Sequence, residues 1–256
     1  MYITVKNLST LWRVNPSSIM HVGAHLAEEY QEYKDQNWID KFSKRAIWVE
    51  AQPDLASKLQ ESLDKSENLV YNFAVWEENG KSLEFNIANN SQSSSLFELS
   101  KHAEIYPQIK YVERIMVETI RLETLLGMTE LEPDFLNLDI QGAELIALKS
   151  LGSRINNFKW IYTEVNYEEL YAGCALISDM DSYLKAHEFK RVFTVRRPHA
   201  NWGDAIYIRR DLLNIRTKFH PGILKLKAKT FSTYHYRLLK SKLFIVSKLY
   251  SKKSLE

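Results

Sequence analysis

Residues 20–25 read MHVGAH, a single glycine with a histidine on each side, closing an apolar run. Glu50 stands 27 positions after Gly23, at the end of the next apolar run. A glycine turn at a strand end lets the backbone approach a ligand, and an acid ending the neighbouring strand can accept from ribose hydroxyls. Pyrophosphate demands more, because the backbone reaches it only through three close glycines. Here Ala24, His25, Leu26 and Ala27 follow Gly23, and no Lys-Ser/Thr pair follows as in a P-loop. The pattern points to a nucleoside without phosphates, and the one that many such sheets bind is S-adenosylmethionine. Gly23 and Glu50 are its principal expected contacts. His25, at the mouth of the turn, suits a cofactor contact or a polar helix start, and His21 a hydrogen-bonded strand position. Ala74 ends the third strand, where adenine would pass; core packing explains its neighbour Phe73 equally well.

A second group of acids follows the same logic. Asp139 closes a mostly apolar run and precedes Gln141-Gly142, at the carboxyl edge where ligands gather in open α/β sheets. A carboxylate left there by chance carries a desolvation cost, so a site role is expected. Glu144 falls in the first turn of the next helix, where the dipole also favours a purely structural acid. Glu164 ends the following strand, with Asn166 beside it. Asp139, Glu164 and Asn166 are oxygen donors of the kind Mg²⁺ accepts, yet two acids and an amide far apart in sequence make no metal motif. A divalent ion is therefore not the favoured expectation, and Asp139 and Glu164 are its candidate ligands. Methyl transfer to a hydroxyl is an in-line displacement that needs a held nucleophile and a base. His102 titrates near neutrality and is the candidate base, with Asp139 and Glu164 the other catalytic candidates. The expected acceptor wall combines Ser94 and Ser95 with Asn166, Tyr171 and Trp202, since aromatic faces pack on sugar rings as readily as they fill cores.

The elements that must position these residues alternate strand and helix, the pattern of a parallel sheet covered on both faces. Strands are expected at Ile19–Ala24, 46–52, 69–76, 134–140 and 160–166, and a closing antiparallel pair at 190–195 and 204–210. Between them fall a helix carrying Leu26, Tyr30 and Tyr33, one opened by Pro53-Asp54, one over Ala143–Leu151, and one with Ser178 as N-cap and Asp181 three residues on. The alternation breaks after the third strand. Residues 82–89 suit an edge strand, 90–108 a polar loop and 114–120 a strand, and an insertion of that length often lines an active site.

Composition bounds the rest. Cys174 stands alone, which excludes an internal disulfide framework and a multi-cysteine metal site. No apolar run reaches the length of a membrane span, and the N-terminus lacks an export signal, so a cytoplasmic location is expected. Residues 211–256 hold 11 Lys/Arg against 2 Asp/Glu, while residues 1–210 hold 23 against 30. Leu239, Leu243, Val246 and Tyr250 form a stripe in that basic tail, with Arg237, Lys240, Lys248 and Lys252 off it. Such a helix suits the inner face of an anionic membrane or its glycolipids, or else its own domain or a second subunit.

These stretches together resemble the FkbM branch of S-adenosylmethionine-dependent methyltransferases. The resemblance spans about residues 18–210, through HVGAH, WVEAQPD, NFAVWEENG, SSSL with HAEIYP, DFLNLDIQGAEL, TEVNYEELYAGC and WGDAIYI. LDIQGAE is its most specific part. The family more commonly opens Asp-Val-Gly-Ala-Asn, and His21 and His25 stand in place of the acid and the amide. The resemblance implies a Rossmann-like class I α/β fold, with a mostly parallel seven-stranded sheet and an antiparallel last strand. The inserted region and a helical tail, 211–256, would adjoin a methyltransferase domain at 1–210. It also implies cofactor contacts from His21, Gly23, His25, Glu50, Ala74, Asp139 and Gln141. The acceptor it implies is a hydroxyl of a sugar, glycan or small natural product. A non-catalytic nucleoside-binding or membrane-peripheral adaptor is the alternative, separable by calorimetry with S-adenosylmethionine and a turnover assay. A nucleic-acid methyltransferase is a third reading, but the acidic body lacks a basic, aromatic-interleaved groove, so no nucleic-acid partner is expected.

Overall fold

The computed structural model describes residues 3–40, 43–196, 201–213, 221–223 and 225–226. Its central strands are apolar on both faces, which a sheet tolerates only when helices cover both sides. Strands β1 (Ile19–Val22), β2 (Ala46–Glu50), β3 (Asn68–Asn72), β7 (Phe135–Leu138), β8 (Trp160–Asn166), β9 (Phe189–Arg196) and β10 (Trp202–Arg209) form one sheet in the order β3-β2-β1-β7-β8-β10-β9. All run parallel except β10, antiparallel to both β8 and β9. Helices α1 (Val5–Trp12), α2 (Tyr30–Asp35) and α3 (Pro53–Ser62) bury Leu8, Trp12, Tyr33 and Leu59 against Ile19, Trp48 and Phe135 on one face. On the other face α5 (Leu122–Gly127), α6 (Glu144–Ser150) and α7 (Ile177–Ala186) bury Leu125, Leu148 and Met180 against Met20, Val49 and Leu136. The strand order reverses between β1 and β7, and the crevice beyond their carboxyl ends is where such sheets bind ligands.

The insertion builds a second sheet of β4 (Ala74–Val75), β6 (Tyr111–Ile120) and β5 (Ser82–Ala88), in that order, with the short helix α4 (Lys101–Ile105) between β5 and β6. The third strand is thus shorter than expected from 69–76: the ladder breaks at Phe73, and Ala74–Val75 leave the main sheet to pair with Thr119 and Ile120. The helix expected from Leu26 also starts late. His25 and Ala27 adopt positive φ (46° and 54°), so residues 25–29 form turns and Leu26 is exposed. The N-cap of α7 is Leu176 rather than Ser178, its N–H accepted by Asp179 Oδ2 at 2.9 Å. Helices α1 and α5 had no counterpart in the sequence reading.

Beyond β10, Leu212, Leu213, Ile223 and Leu226 pack on the core that contains Trp12 and Phe193, so the body continues past residue 210. The amphipathic stretch 239–250 lies outside the described residues. Among the described residues no helix is long and apolar enough to cross a membrane.

Candidate active site

Gly23 closes β1 in a conformation that no side chain would fit. Its φ is +82°, and a Cβ there would stand 1.8 Å from the Asp139 carbonyl oxygen. The Asp139 N–H donates to Val22 O (3.0 Å), and the Gly23 and Ala24 N–H groups both donate to Val49 O (2.9 and 3.1 Å). Three strand ends, β1, β2 and β7, are thereby tied at one point. The positive φ of His25 turns its N–H onto Glu50 Oε2 (2.8 Å), while Gln52 N–H donates to Oε1 (2.9 Å). Burial pushes the Glu50 carboxyl above its ordinary range, and these two bonds work against that rise. Each Glu50 oxygen keeps accepting capacity for a hydroxyl donor. With Gly23 permitting close approach and Ala74 at the edge, this wall fits a nucleoside.

The cleft floor is a carboxylate cluster gathered around one amide. Gln141 (φ +52°) precedes Gly142 (φ +110°), and the pair is held from several sides. Glu144 accepts the N–H groups of Ile140 and Gly142 at 3.1 Å, and Ser95 Oγ donates to Gln141 O at 2.7 Å. Tyr171 OH donates to Gln141 Oε1 (2.6 Å), which aims Nε2 at Asp139 Oδ1 (2.6 Å) and Glu164 Oε2 (3.3 Å). Burial raises Glu164 well above the usual carboxylate range, and the nearby Asp139 adds to the rise. Asp139 keeps exposed surface toward the cleft, but the enclosing walls and the Asp204 carboxylate raise it to about 6. Asp204 itself accepts from Tyr162 OH. Glu144 is thus a turn-holding acid rather than a ligand-facing one. Among the described residues no group of three or more His, Cys, Asp or Glu is arranged to hold a metal ion.

The insertion supplies the opposite wall of a cleft of about 620 Å³. His25 joins the two walls: Nδ1 meets Glu28 Oε1 (2.6 Å) and Nε2 meets Ser91 Oγ (2.8 Å). The Glu28 bond raises the His25 pKa, and the same bond holds Glu28 down to about 2. His102 lines the cleft between the rings of Tyr106 and Tyr171 (5.1 and 5.4 Å), its buried Nδ1 without a hydrogen-bond partner. Burial lowers its pKa, so the ring is neutral at neutral pH.

Most of the residues expected from the sequence meet here. Gly23, His25, Glu50, Ala74, Asp139 and Gln141 line the cleft together with His102, Glu164, Ser94, Tyr171 and Trp202. His21 touches the cleft too, but its ring stacks on Trp48 (5.1 Å) and lies within 3.5 Å of Tyr33 OH, a core position. Two expected acceptor contacts do not reach the cleft. Ser95 is buried behind it, its hydroxyl spent on Gln141 O and the Phe97 N–H, and Asn166 is buried at the end of β8 and does not line it. Ser91 and Glu28 were not expected at the site; Ser91 meets His25 only in the folded chain, whereas Glu28 stands three residues after it.

The model of the methyltransferase FkbM domain matches residues 21–191. The chain belongs to the FkbM methyltransferase family. The match takes in β2, β7 and β8 and ends before β10, whose Trp202 and Asp204 also line the cleft. The description of that family is of a methyltransferase domain. A 2-O-methyltransferase, NoeI, of Sinorhizobium fredii (strain NBRC 101917 / NGR234) is 26% identical over 133 residues, which is 48% of this chain and 54% of that protein. The chain thus matches about half the length of that relative. Among solved structures, magnesium protoporphyrin IX methyltransferase from Synechocystis PCC 6803 shares 9% identity over 75% of this chain and 69% of its own, at TM-score 0.38. A methyltransferase from Aquifex aeolicus shares 12% over 75% and 82%, at 0.40.

Proposed function

We propose that the enzyme methylates a hydroxyl oxygen, carried by a sugar, a glycan or a small natural product. The observation that carries this reading is Asp139, a carboxylate of raised pKa that opens on the cleft while Gln141 fixes its orientation. S-adenosylmethionine, when bound, supplies an electrophilic methyl group on sulfur. Glu50 would hold its ribose hydroxyls, with the Gly23 turn against it and Ala74 beside the adenine. Asp139 would accept the hydrogen bond of the acceptor hydroxyl and take its proton as the oxygen–methyl bond forms and the sulfur–methyl bond breaks, which a carboxylate near its own pKa does well. His102, a neutral ring between Tyr106 and Tyr171, packs against the acceptor from the opposite wall. Tyr171 and Trp202 offer aromatic faces to a ring. The name of the 26%-identical relative, a 2-O-methyltransferase, agrees with an oxygen acceptor. Peripheral contact of the basic tail with an anionic membrane belongs to the same reading, in a cytoplasmic protein.

A labelled-methyl turnover assay over sugars, glycans and small hydroxylated compounds tests it. Turnover on hydroxyl acceptors is expected, with the rate falling as pH drops through about 6, because the protonated Asp139 cannot accept. Asp139→Asn should lower the rate by about 10²–10⁴-fold while S-adenosylhomocysteine still binds. Methylation of amines, carbon acids or nucleic acid with none on hydroxyls would overturn the reading.

A further inference from the structure

The inserted sheet ends in an open strand edge. Asn86 exchanges both backbone hydrogen bonds with Ser95 (2.9 and 3.0 Å), so its N–H and C=O point away from β6. Its partner across the β5–β6 ladder, Arg114, is therefore in a non-bonded pair, and so by alternation is Met116 opposite Glu84. The N–H and C=O of Arg114 and Met116 must then project from the other side of β6. On that side β4 covers only Thr119 and Ile120, and among the described residues no backbone group meets Arg114 or Met116. The exposed face of this edge carries large apolar side chains, with Val112 65% and Met116 60% exposed. Most sheet edges are blunted by lysines, prolines or covering segments; here only the register shift near Val112 interrupts the edge.

We infer that two copies of the chain associate through this edge, by antiparallel β6–β6′ pairing about a two-fold axis at Ile115. That register sets Arg114 opposite Met116 of the second copy, twice, and its four hydrogen bonds satisfy the open groups of both residues. On the same face the diagonal neighbours of Arg114 are the second copy's Glu118 and Arg114; its guanidinium, which pairs within its own chain with Glu84 and Glu98 (2.8 and 2.9 Å), keeps further N–H donors for that Glu118. The diagonal neighbours of Met116 are the other copy's Met116 and Val112, so the apolar side chains cover one another. Complementary charge, matched apolar residues and an isologous two-fold contact all arise from one ten-residue strand, which favours a second copy over an unrelated peptide. Phe85 on β5 and the serines after it line the cleft, so the pairing also braces one wall of the active site.

The full-length chain should sediment as a dimer in the tens-of-micromolar range. Met116→Lys should halve the mass, since each lysine would face Arg114 of the other copy. Its own Glu84 can receive it, and retained S-adenosylhomocysteine binding will show that the variant is folded. Ile115→Cys should form a covalent dimer on oxidation, because a central non-bonded pair holds its Cα atoms about 4.5 Å apart. The unaltered chain, with only the buried Cys174, should not. A monomeric wild type, a Met116→Lys dimer, or an Ile115→Cys chain that stays uncrosslinked would each overturn the inference.

Discussion

Both oxygens of Glu50 accept one backbone N–H each, from His25 and Gln52, so the acid shapes the turn as well as facing the cleft. Removing it should act on both levels. Glu50→Ala is expected to weaken S-adenosylhomocysteine binding by roughly 2–4 kcal/mol, the loss of charge-assisted bonds to two hydroxyls. It should also lower the melting temperature, because two N–H groups lose their acceptor. Glu50→Gln keeps one acceptor oxygen and the side-chain volume, so its melting temperature should stay nearer wild type while affinity still falls. Calorimetry beside thermal unfolding separates the two effects, and undiminished affinity in both variants would remove Glu50 from the cofactor site. Gln141 is the other residue whose role only its neighbours explain. An amide can donate to two carboxylates while accepting from a tyrosine, and Tyr171 decides which end faces the acids.

At the level of elements, the site depends on how closely strand ends can approach. Gly23 and Gly80 both have positive φ, +82° and +67°, but a Cβ at Gly80 would meet nothing within 4 Å. Gly80→Ala should therefore cost only backbone strain, roughly 1–2 kcal/mol. Gly23→Ala adds a collision with the Asp139 carbonyl, which can be relieved only by parting β1 from β7. Its destabilisation should clearly exceed that of Gly80→Ala in urea unfolding, and cofactor affinity should fall with it. Equal stability losses would show that the crossing of β1 and β7 is slack. The insertion is coupled to this point through His25 and Ser91, so it is a wall of the site rather than an appendage.

For the whole molecule, the boundary of the folded body matters most. Ile223 is buried and Leu212, Leu213 and Leu226 pack against the same core, so a cut after Arg210 would strip that surface. Burial of Ile223 alone is worth roughly 1.5–3 kcal/mol. The chain truncated after Arg210 should therefore unfold at lower denaturant than the full chain, whatever the basic tail does at a lipid surface. An unchanged unfolding midpoint would mean that this packing contributes nothing.

Hydrophobic period and turn chemistry made the parallel sheet legible, because β1, β2, β7 and β8 are buried on both faces and are therefore apolar at most positions. The acids ending those strands were legible for the same reason: Glu50, Asp139 and Glu164 each interrupt an apolar run where a charge is costly. LDIQGAE was recognisable as a unit since Gln141, Gly142 and Glu144 build their turn from local contacts. What local sequence could not carry was contact across distance. Whether Ser94 faced the cleft and Ser95 the turn behind it depended on the pairing of Asn86 with Ser95, which alternates the side chains that follow. The break at Phe73, the assignment of Ala74–Val75 to a second sheet and the meeting of His25 with Ser91 were likewise decided by tertiary structure. Each depends on which distant backbone arrives to offer a hydrogen bond, and no residue's own propensity encodes that.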